Sequence, residues 1–318
     1  MTPGPGHSAF SKKVPLLQLA LDSTSLGEFK TCPRKYYYRI LRGKVPRQTS
    51  IDLTFGILLH KAMETYQRRR ADVASHDDAL DATVEYLLRA TWDSAAERPL
   101  IIDDPVKNRV SLLRAVVWYL TAQHEAGGDA LKTVILSDGR PAVELPFEFD
   151  TGFETRDGEK FILCGHLDRL CELGGQLFDE DYKTTKYSLD AKFFAQFSPH
   201  NQMTIYTIAG KVAFRQPLTG VIINGFQIGA GFVRHLRSMI QYSDAQLQEW
   251  LQGLGFWLRR LEECARRDEW PQNEMACSMY RGCDFRGICS KSPESREQWL
   301  DAEFETAFWN PLDKRGEI

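Results

Sequence analysis

Five features are missing from this 318-residue chain, and each absence narrows what the protein can be. No apolar run approaches the roughly 20 residues that a membrane span needs, so no membrane association is expected. Met1 to Phe10 is rich in Gly and Pro without an apolar h-region, so no secretory signal is visible and a cytoplasmic, reducing setting is expected. In that setting seven cysteines do not make a disulfide framework. No Gly-x4-Gly-Lys-Ser/Thr loop occurs, which excludes a P-loop motor. Internal repeats and low-complexity tracts are absent too. What is present describes a soluble globular protein: 43% hydrophobic, 11% aromatic and 26% charged residues, long enough for one large domain or two moderate ones.

A net charge of only −3 conceals an uneven distribution. Lys30, Arg34, Lys35, Arg39, Arg42, Lys44 and Arg47 fall in one stretch with no acid between Glu28 and Asp52, and Tyr36, Tyr37 and Tyr38 interleave with them. Two readings fit. One is a solvated helix face over buried tyrosines; the other is a phosphate-tracking patch with stacking rings. Composition does not choose between them.

Residues 1–22 read as a flexible N-terminal tail, residues 23–290 as the folded domain with a helical insertion at about 70–130, and residues 291–318 as a C-terminal extension. Ser25-Leu26-Gly27-Glu28 fits a capping box and predicts a helix over about 26–41. Further helices are predicted over 53–70, 77–93 and 106–125, with Asp103-Asp104-Pro105 punctuating the last gap. The period then changes. Strands are predicted over 142–149 and 161–172, joined through Asp157-Gly158, and 177–183 completes a meander. A helix near 200–213, a buried strand over 221–228 and a long helix over 245–267, starting after Ser243, follow.

The densest chemistry surrounds one hairpin. Gly165-His166-Leu167-Asp168 precedes it, Asp181-Tyr182-Lys183 follows it, and Gly174-Gly175 lies between. A Gly-Gly pair between two β-rich runs signals a two-residue turn, because both central positions need φ > 0. Stepping outward from that turn sets Asp168 directly opposite Asp181 and puts Lys183 on the face of Asp181. Opposed like charges destabilise a strand pair unless something sits between them, and a divalent cation is the economical answer. An isolated Asp-x-Lys on a strand is more often a solvated face, and a one-residue slip would turn Asp168 away.

Cys277, Cys283 and Cys289, spaced x5 and x5, close the folded region. Three thiols do not complete a tetrahedral metal site or a four-iron cluster, both of which need four protein ligands. Cys164 and Cys171 lie in a strand and Cys264 in an amphipathic helix, where an inert buried cysteine is the usual case. Cys32, in the loop-like Thr31-Cys32-Pro33-Arg34, is taken as the fourth ligand. Zinc is the structural alternative to an iron–sulfur cluster.

Together these segments resemble the PD-(D/E)xK nuclease superfamily over about residues 23–290, and within it the RecB-like branch with an iron–sulfur cluster, including the CRISPR-adaptation exonucleases. Six motifs stand in the expected order: the segment from Ser23 to Tyr38 containing Cys32, Gly56-Ile57-Leu58-Leu59-His60, Gly165-His166-Leu167-Asp168, Asp181-Tyr182-Lys183, Gln202-Met203-Thr204-Ile205-Tyr206, and the late cysteines. The resemblance implies an α/β, restriction-endonuclease-like core, with a three-strand meander, a crossover helix and a fourth strand inside a helical frame stapled by the cluster. It implies that Cys32, Cys277, Cys283 and Cys289 bind a [4Fe–4S] cluster. His60, Asp168, Asp181 and the Tyr182 carbonyl become ligands of the catalytic metal. Lys183 orients or deprotonates the attacking water, or stabilises the transition state, and Gln202 and Tyr206 are active-site residues on one helical face. The family's nominal Pro is absent before Asp168, and the x5 gap from Cys277 to Cys283 is longer than the first gap often seen, which leaves cluster type less fixed than fold.

The activity so implied is hydrolysis of DNA phosphodiester bonds with Mg²⁺ or Mn²⁺, the imidazole tilting preference toward Mn²⁺. The expected enzyme is an exonuclease preferring single-stranded DNA with a free end. The resemblance leans toward 5′→3′ polarity, and recombination, repair or CRISPR-adaptation proteins are the candidate partners. Competing readings are an endonuclease, a non-cutting DNA-binding or scaffold subunit of a helicase–nuclease complex, and a zinc-stapled protein of unrelated function. Intact Asp168, Asp181 and Lys183 argue against a non-cutting subunit. Glu144, on the first meander strand, is either an exposed strand carboxylate or a group that supports the metal's ligands or binds a second metal.

Overall fold

The computed structural model describes residues 9–312 except 48–49, 73, 101–103 and 213–216. In chain order its main elements are helices α1 (Ser23–Thr31), α2 (Ile51–Ala71), α3 (His76–Ala90) and α4 (Arg109–Glu125), then strands β1 (Val143–Glu154), β2 (Lys160–Leu173) and β3 (Gln176–Thr185). Helix α5 (Asn201–Val212), strands β4 (Leu218–Ile228) and β5 (Val233–Ile240), and helix α6 (Asp244–Arg267) complete the set. This is the expected mixed α/β order of meander, helix and fourth strand. Strand β5 is an addition that the sequence reading did not foresee. Among the described residues no helix is long and apolar enough to cross a membrane.

The chain divides into two compact units, one made of Thr49–Pro146 and His166–Tyr242, the other of Met1–Gln48, Phe147–Gly165 and Ser243–Ile318. In the first unit β3 pairs antiparallel with β2, β4 runs parallel to β3, and β5 pairs antiparallel with β4. Gly174 and Gly175 have φ of +60° and +79°, so the two-residue turn forms as expected. Register runs outward from Leu173 opposite Gln176 to Leu170 opposite Asp179, where the paired ladder ends. Asp168 and Asp181 lie two positions beyond, in the same frame. Parallel β3 and β4 need a crossover, and α5 supplies it. Gly210 of α5 lies so close to β4 that a Cβ there would stand 2.1 Å from Leu218 Cγ.

Helix α2 carries Asp52 in its first turn and Arg68, Arg69 and Arg70 in its last, complementing the helix dipole. Asn108 caps α4 through a reciprocal pair of bonds with Ser111. The helices bury Phe55, Leu59, Met63, Leu112 and Tyr119 in a cluster with Tyr182 and Phe226 of the sheet. That packing fixes α2, and with it His60, over the end of the hairpin.

In the second unit the expected 26–41 helix is broken. Its cap is Asp22, with Ser25 as the reciprocal partner, rather than Ser25 itself. Cys32 is extended (φ −162°, ψ 111°) because it precedes Pro33, which disfavours the helical region for the residue before it. Described residues of the expected flexible tail are instead packed: Ala20–Leu21 pairs in parallel with Ile162 and Leu163, and Leu17 and Leu21 are fully buried. Described residues of the expected C-terminal extension pack as well, through a helix at Arg296–Glu303 that buries Leu300 and a strand, Phe304–Thr306, paired with Lys44–Pro46.

The basic–aromatic stretch resolves toward its plainer reading. Tyr36 and Tyr38 are buried, Tyr36 donating to Gln18 Oε1 at 2.8 Å, and Tyr37 stacks on Trp270 at 5.6 Å. Lys35 pairs with Glu28, Arg42 with Glu297 and Lys44 with Asp301, at 2.9, 2.7 and 2.6 Å. Buried rings do not stack on bases, so Tyr36 and Tyr38 give no platform for a single strand.

Candidate metal centre

Alternation along β3 places Asp179, Asp181 and Lys183 on one face and Glu180 and Tyr182 on the other. Lys183 Nζ lies 2.6 and 2.8 Å from the two oxygens of fully buried Asp181 and donates to Gln202 Oε1 at 3.1 Å. Gln202 Nε2 in turn donates to Tyr206 Oη at 2.8 Å, across one turn of α5. Asp181, Lys183, Gln202 and Tyr206 therefore form one continuous chain of contacts. Tyr206 is itself buried.

His60 joins the other expected residues. Its Nδ1 lies 2.8 Å from Asp168 Oδ2 and its Nε2 2.6 Å from the Tyr182 carbonyl oxygen, beyond the end of the β2–β3 ladder. Both of those oxygens accept, so both ring nitrogens must donate, and the ring is an imidazolium. Burial works against that charge, but the charge and hydrogen bond of Asp168, helped by Asp181, outweigh it and raise the His60 pKa to about 9. Asp181 is pushed up to about 6 by burial; Lys183 holds it down and the like charge of Asp168 pushes it further up. Asp179, fully buried, is pushed well above the usual carboxylate range by burial and then by Asp168 and Asp181. Burial and the same three carboxylates raise Tyr206, which keeps its hydroxyl proton.

Glu144 completes the geometry. Its backbone is left-handed, with φ of +49°, a conformation that a non-glycine residue adopts rarely and that concentrates at functional positions. One ligand atom from each of His60, Glu144 and Asp168 lies within 4.8 Å of the others, a group of three that could hold an ion. Glu144 is only partly buried, and Arg68 donates to the carbonyl of the residue before it at 3.4 Å. Carboxylate and carbonyl oxygens with one imidazole nitrogen suit Mg²⁺ or Mn²⁺ better than a thiophilic ion, so this donor set fits a divalent metal.

The four cysteines singled out from sequence all belong to the second unit and are free thiols. Cys32 Sγ accepts from the Asn273 backbone N–H at 3.4 Å, and the Cys283 N–H donates to the Cys277 carbonyl at 3.1 Å. Cys283 and Cys289 pack against Tyr38, Phe285 and Ile288. Burial raises both thiols; the charges of Cys277 and Cys32 raise Cys283 further, and those of Cys283 and Cys32 do the same to Cys289. These couplings place the four thiols near one another, but among the described residues they do not form a group of three or more whose ligand atoms all lie within 4.8 Å of one another. Cys164 and Cys171 are buried and donate to the Leu21 and Phe178 carbonyls, as structural cysteines do.

Sequence reasoning missed a second group in the first unit. Behind the hairpin, Glu180, Arg169, Asp129 and Arg237 interlock through ion pairs of 2.6 to 3.0 Å. The available signal was charge in a strand that reads as buried, since Asp179-Glu180-Asp181 has no polar face to spare.

A meander, a crossover helix and a carboxylate–lysine hairpin with an adjoining histidine define a class of phosphodiester-cleaving enzymes. The family model of the PD-(D/E)XK nuclease superfamily matches residues 23–290, and the chain belongs to that superfamily. No curated protein matches the chain. Among solved structures, a Eubacterium rectale protein described as a presumed exonuclease is 11% identical, with a TM-score of 0.49, over 86% of this chain and 89% of that one. A second, SSO0001, is 13% identical with a TM-score of 0.34, over 86% of each chain.

Proposed function

We propose that this protein is a metal-dependent DNA exonuclease acting on single strands with a free end, in the 5′→3′ direction. The observation that carries the nuclease reading is the meeting of Asp168, His60 and the Asp181–Lys183 pair at the end of one hairpin. His60, Asp168, Asp181, Glu144 and the Tyr182 carbonyl would hold Mg²⁺ or Mn²⁺. A divalent ion there polarises the phosphate, acidifies water and offsets developing negative charge. Lys183, held between Asp181 and Gln202, presents its ammonium to the attacking water or to the charge that grows on the phosphate. Gln202 aims Lys183, and the hydroxyl of Tyr206 aims Gln202. Buried Tyr36 and Tyr38 remove the aromatic argument for single strands, so strand preference and polarity rest on the family resemblance alone.

Cys32, Cys277, Cys283 and Cys289 would bind a [4Fe–4S] cluster that ties residues near the start of the fold to its end. Anaerobically purified protein should be brown, and serine at any of the four positions should bleach it, whereas Cys264→Ser should not. Colourless protein with stoichiometric zinc overturns the cluster. For activity the test is digestion of end-labelled linear and closed circular DNA, single- and double-stranded, with Mg²⁺ or Mn²⁺. Loss of linear single strands is expected. Rapid cutting of circular single strands makes the protein an endonuclease, and no cutting with either ion makes it a DNA-binding subunit.

A further inference from the structure

We infer that Glu180, with the buried network it anchors, is a positioning residue that sets which ion the metal centre prefers; this rests on the metal-site reading above. Glu180 is fully buried and accepts four hydrogen bonds. They come from Arg169 Nη1 of β2 at 2.6 Å, Tyr182 Oη of its own strand at 2.9 Å, Asn224 Nδ2 of β4 at 2.9 Å and Arg237 Nε of β5 at 3.0 Å. One carboxylate thereby ties together four adjacent strands. The two guanidinium groups also clamp Asp129, Arg169 at 3.0 Å and Arg237 at 2.7 and 2.9 Å, and Tyr119 Oη receives Arg237 at 2.6 Å and Asn224 at 2.8 Å. Two arginines balance two carboxylates, with no charge left over.

Stability alone does not explain such an arrangement. Desolvating four charges offsets most of their attraction, and apolar residues of similar volume would hold the sheet about as well. What directional bonds add is a single permitted register. Arg169 immediately follows Asp168; Glu180 and Tyr182 flank Asp181, and the Tyr182 carbonyl faces His60. Every group proposed to hold the ion on β2 and β3 is thus one bond along the chain from a network member, or belongs to one. The carboxylates are held in place against their mutual repulsion before any cation arrives. A fixed, small set of oxygens favours Mg²⁺, which demands near-ideal octahedral geometry, and the smaller Mn²⁺ over the larger Ca²⁺, which takes more ligands in loose and variable coordination.

The experiment is calorimetric titration of Mn²⁺, Mg²⁺ and Ca²⁺, without DNA, into the full chain and into Tyr182→Phe and Glu180→Gln. Circular dichroism confirms folding, and Tyr182→Phe, which removes one hydroxyl and keeps ring and carbonyl, decides the matter if Glu180→Gln does not fold. Partners bonded directly to metal ligands are worth roughly 10- to 100-fold in affinity, and this network acts one residue further out, so Mn²⁺ and Mg²⁺ affinity should fall by up to about tenfold. Ca²⁺ affinity should change little, and the selectivity ratio should collapse. A purely structural role would leave that ratio where it was. Normal binding by the wild type with an unchanged ratio in folded Tyr182→Phe overturns this inference alone. A wild type that takes up neither Mn²⁺ nor Mg²⁺ overturns the metal-site reading and this inference with it.

Discussion

Glu180 and Asp181 are consecutive residues of β3, both wholly buried, and their surroundings are opposite in kind. Glu180 meets four donors from four strands, two of them guanidinium groups. Asp181 meets one lysine, and beside it stand Asp168 and Asp179, whose charges work against its own. Period-2 alternation separates the two environments by one residue. A carboxylate buried for architecture comes with a full complement of donors. One buried for chemistry is left short of positive charge, and the shortfall appears as a raised pKa.

The same truncation should therefore have opposite consequences on the two faces. Glu180→Ala leaves buried Arg169 and partly exposed Arg237 to share Asp129 alone, and should destabilise the protein by about 3 kcal/mol, read by urea unfolding. Asp181→Ala relieves repulsion, so the metal-free melting temperature should hold or rise, while cleavage falls by about a thousandfold or more with the loss of several kcal/mol of charge stabilisation. A stable Glu180→Ala protein, or an Asp181→Ala protein that melts early or still cuts at the wild-type rate, breaks the comparison.

A smaller effect tests the electrostatics of His60. Its folded pKa of about 9 exceeds the unfolded value of 6.5, so its contribution is fully present below about pH 6.5 and is lost as pH rises toward 9. Metal-free protein should lose stability across that window, and His60→Gln should flatten the loss; parallel melting profiles for the two proteins would show that His60 carries no raised pKa. The smallest effect concerns the turn. Gly174→Asn suits the left-handed backbone and should change stability by no more than about 0.5 kcal/mol, whereas Gly174→Val should cost about 1 kcal/mol or more. Equal unfolding midpoints for both variants would mean that the turn is not what sets the register.

Much of the hairpin was legible because its signals are local. A Gly-Gly turn fixes register within a few residues, and alternation then assigns faces to Asp168, Asp181 and Lys183. The Gln202–Tyr206 contact follows from one helical turn in the same way. His60 was readable only through its motif, since nothing local says that α2 ends up over the hairpin. The Glu180 network was hidden because its partners Asp129 and Arg237 lie 108 residues apart and meet only in the folded sheet. At Cys32 the signal was present and misweighed: a proline at 33 ends a helix at 31 whatever the capping pattern upstream promises. The described parts of the two terminal segments were misread: Leu17, Leu19 and Leu21 at one end and Leu300 at the other anchor them in the fold.

The imidazolium of His60 has one more consequence, for the thermodynamics of loading. Where the ring serves as a ligand it must surrender a proton, so uptake of a dication there is an exchange in which one proton leaves and the site gains one net charge instead of two. The apparent heat of binding should then vary with the ionisation enthalpy of the buffer, and the slope of that dependence counts the protons released. Below pH 9 acid competes directly with the metal for the same nitrogen, and near pH 6 protonation of Asp181 adds to that competition, so mild acidification should empty the site.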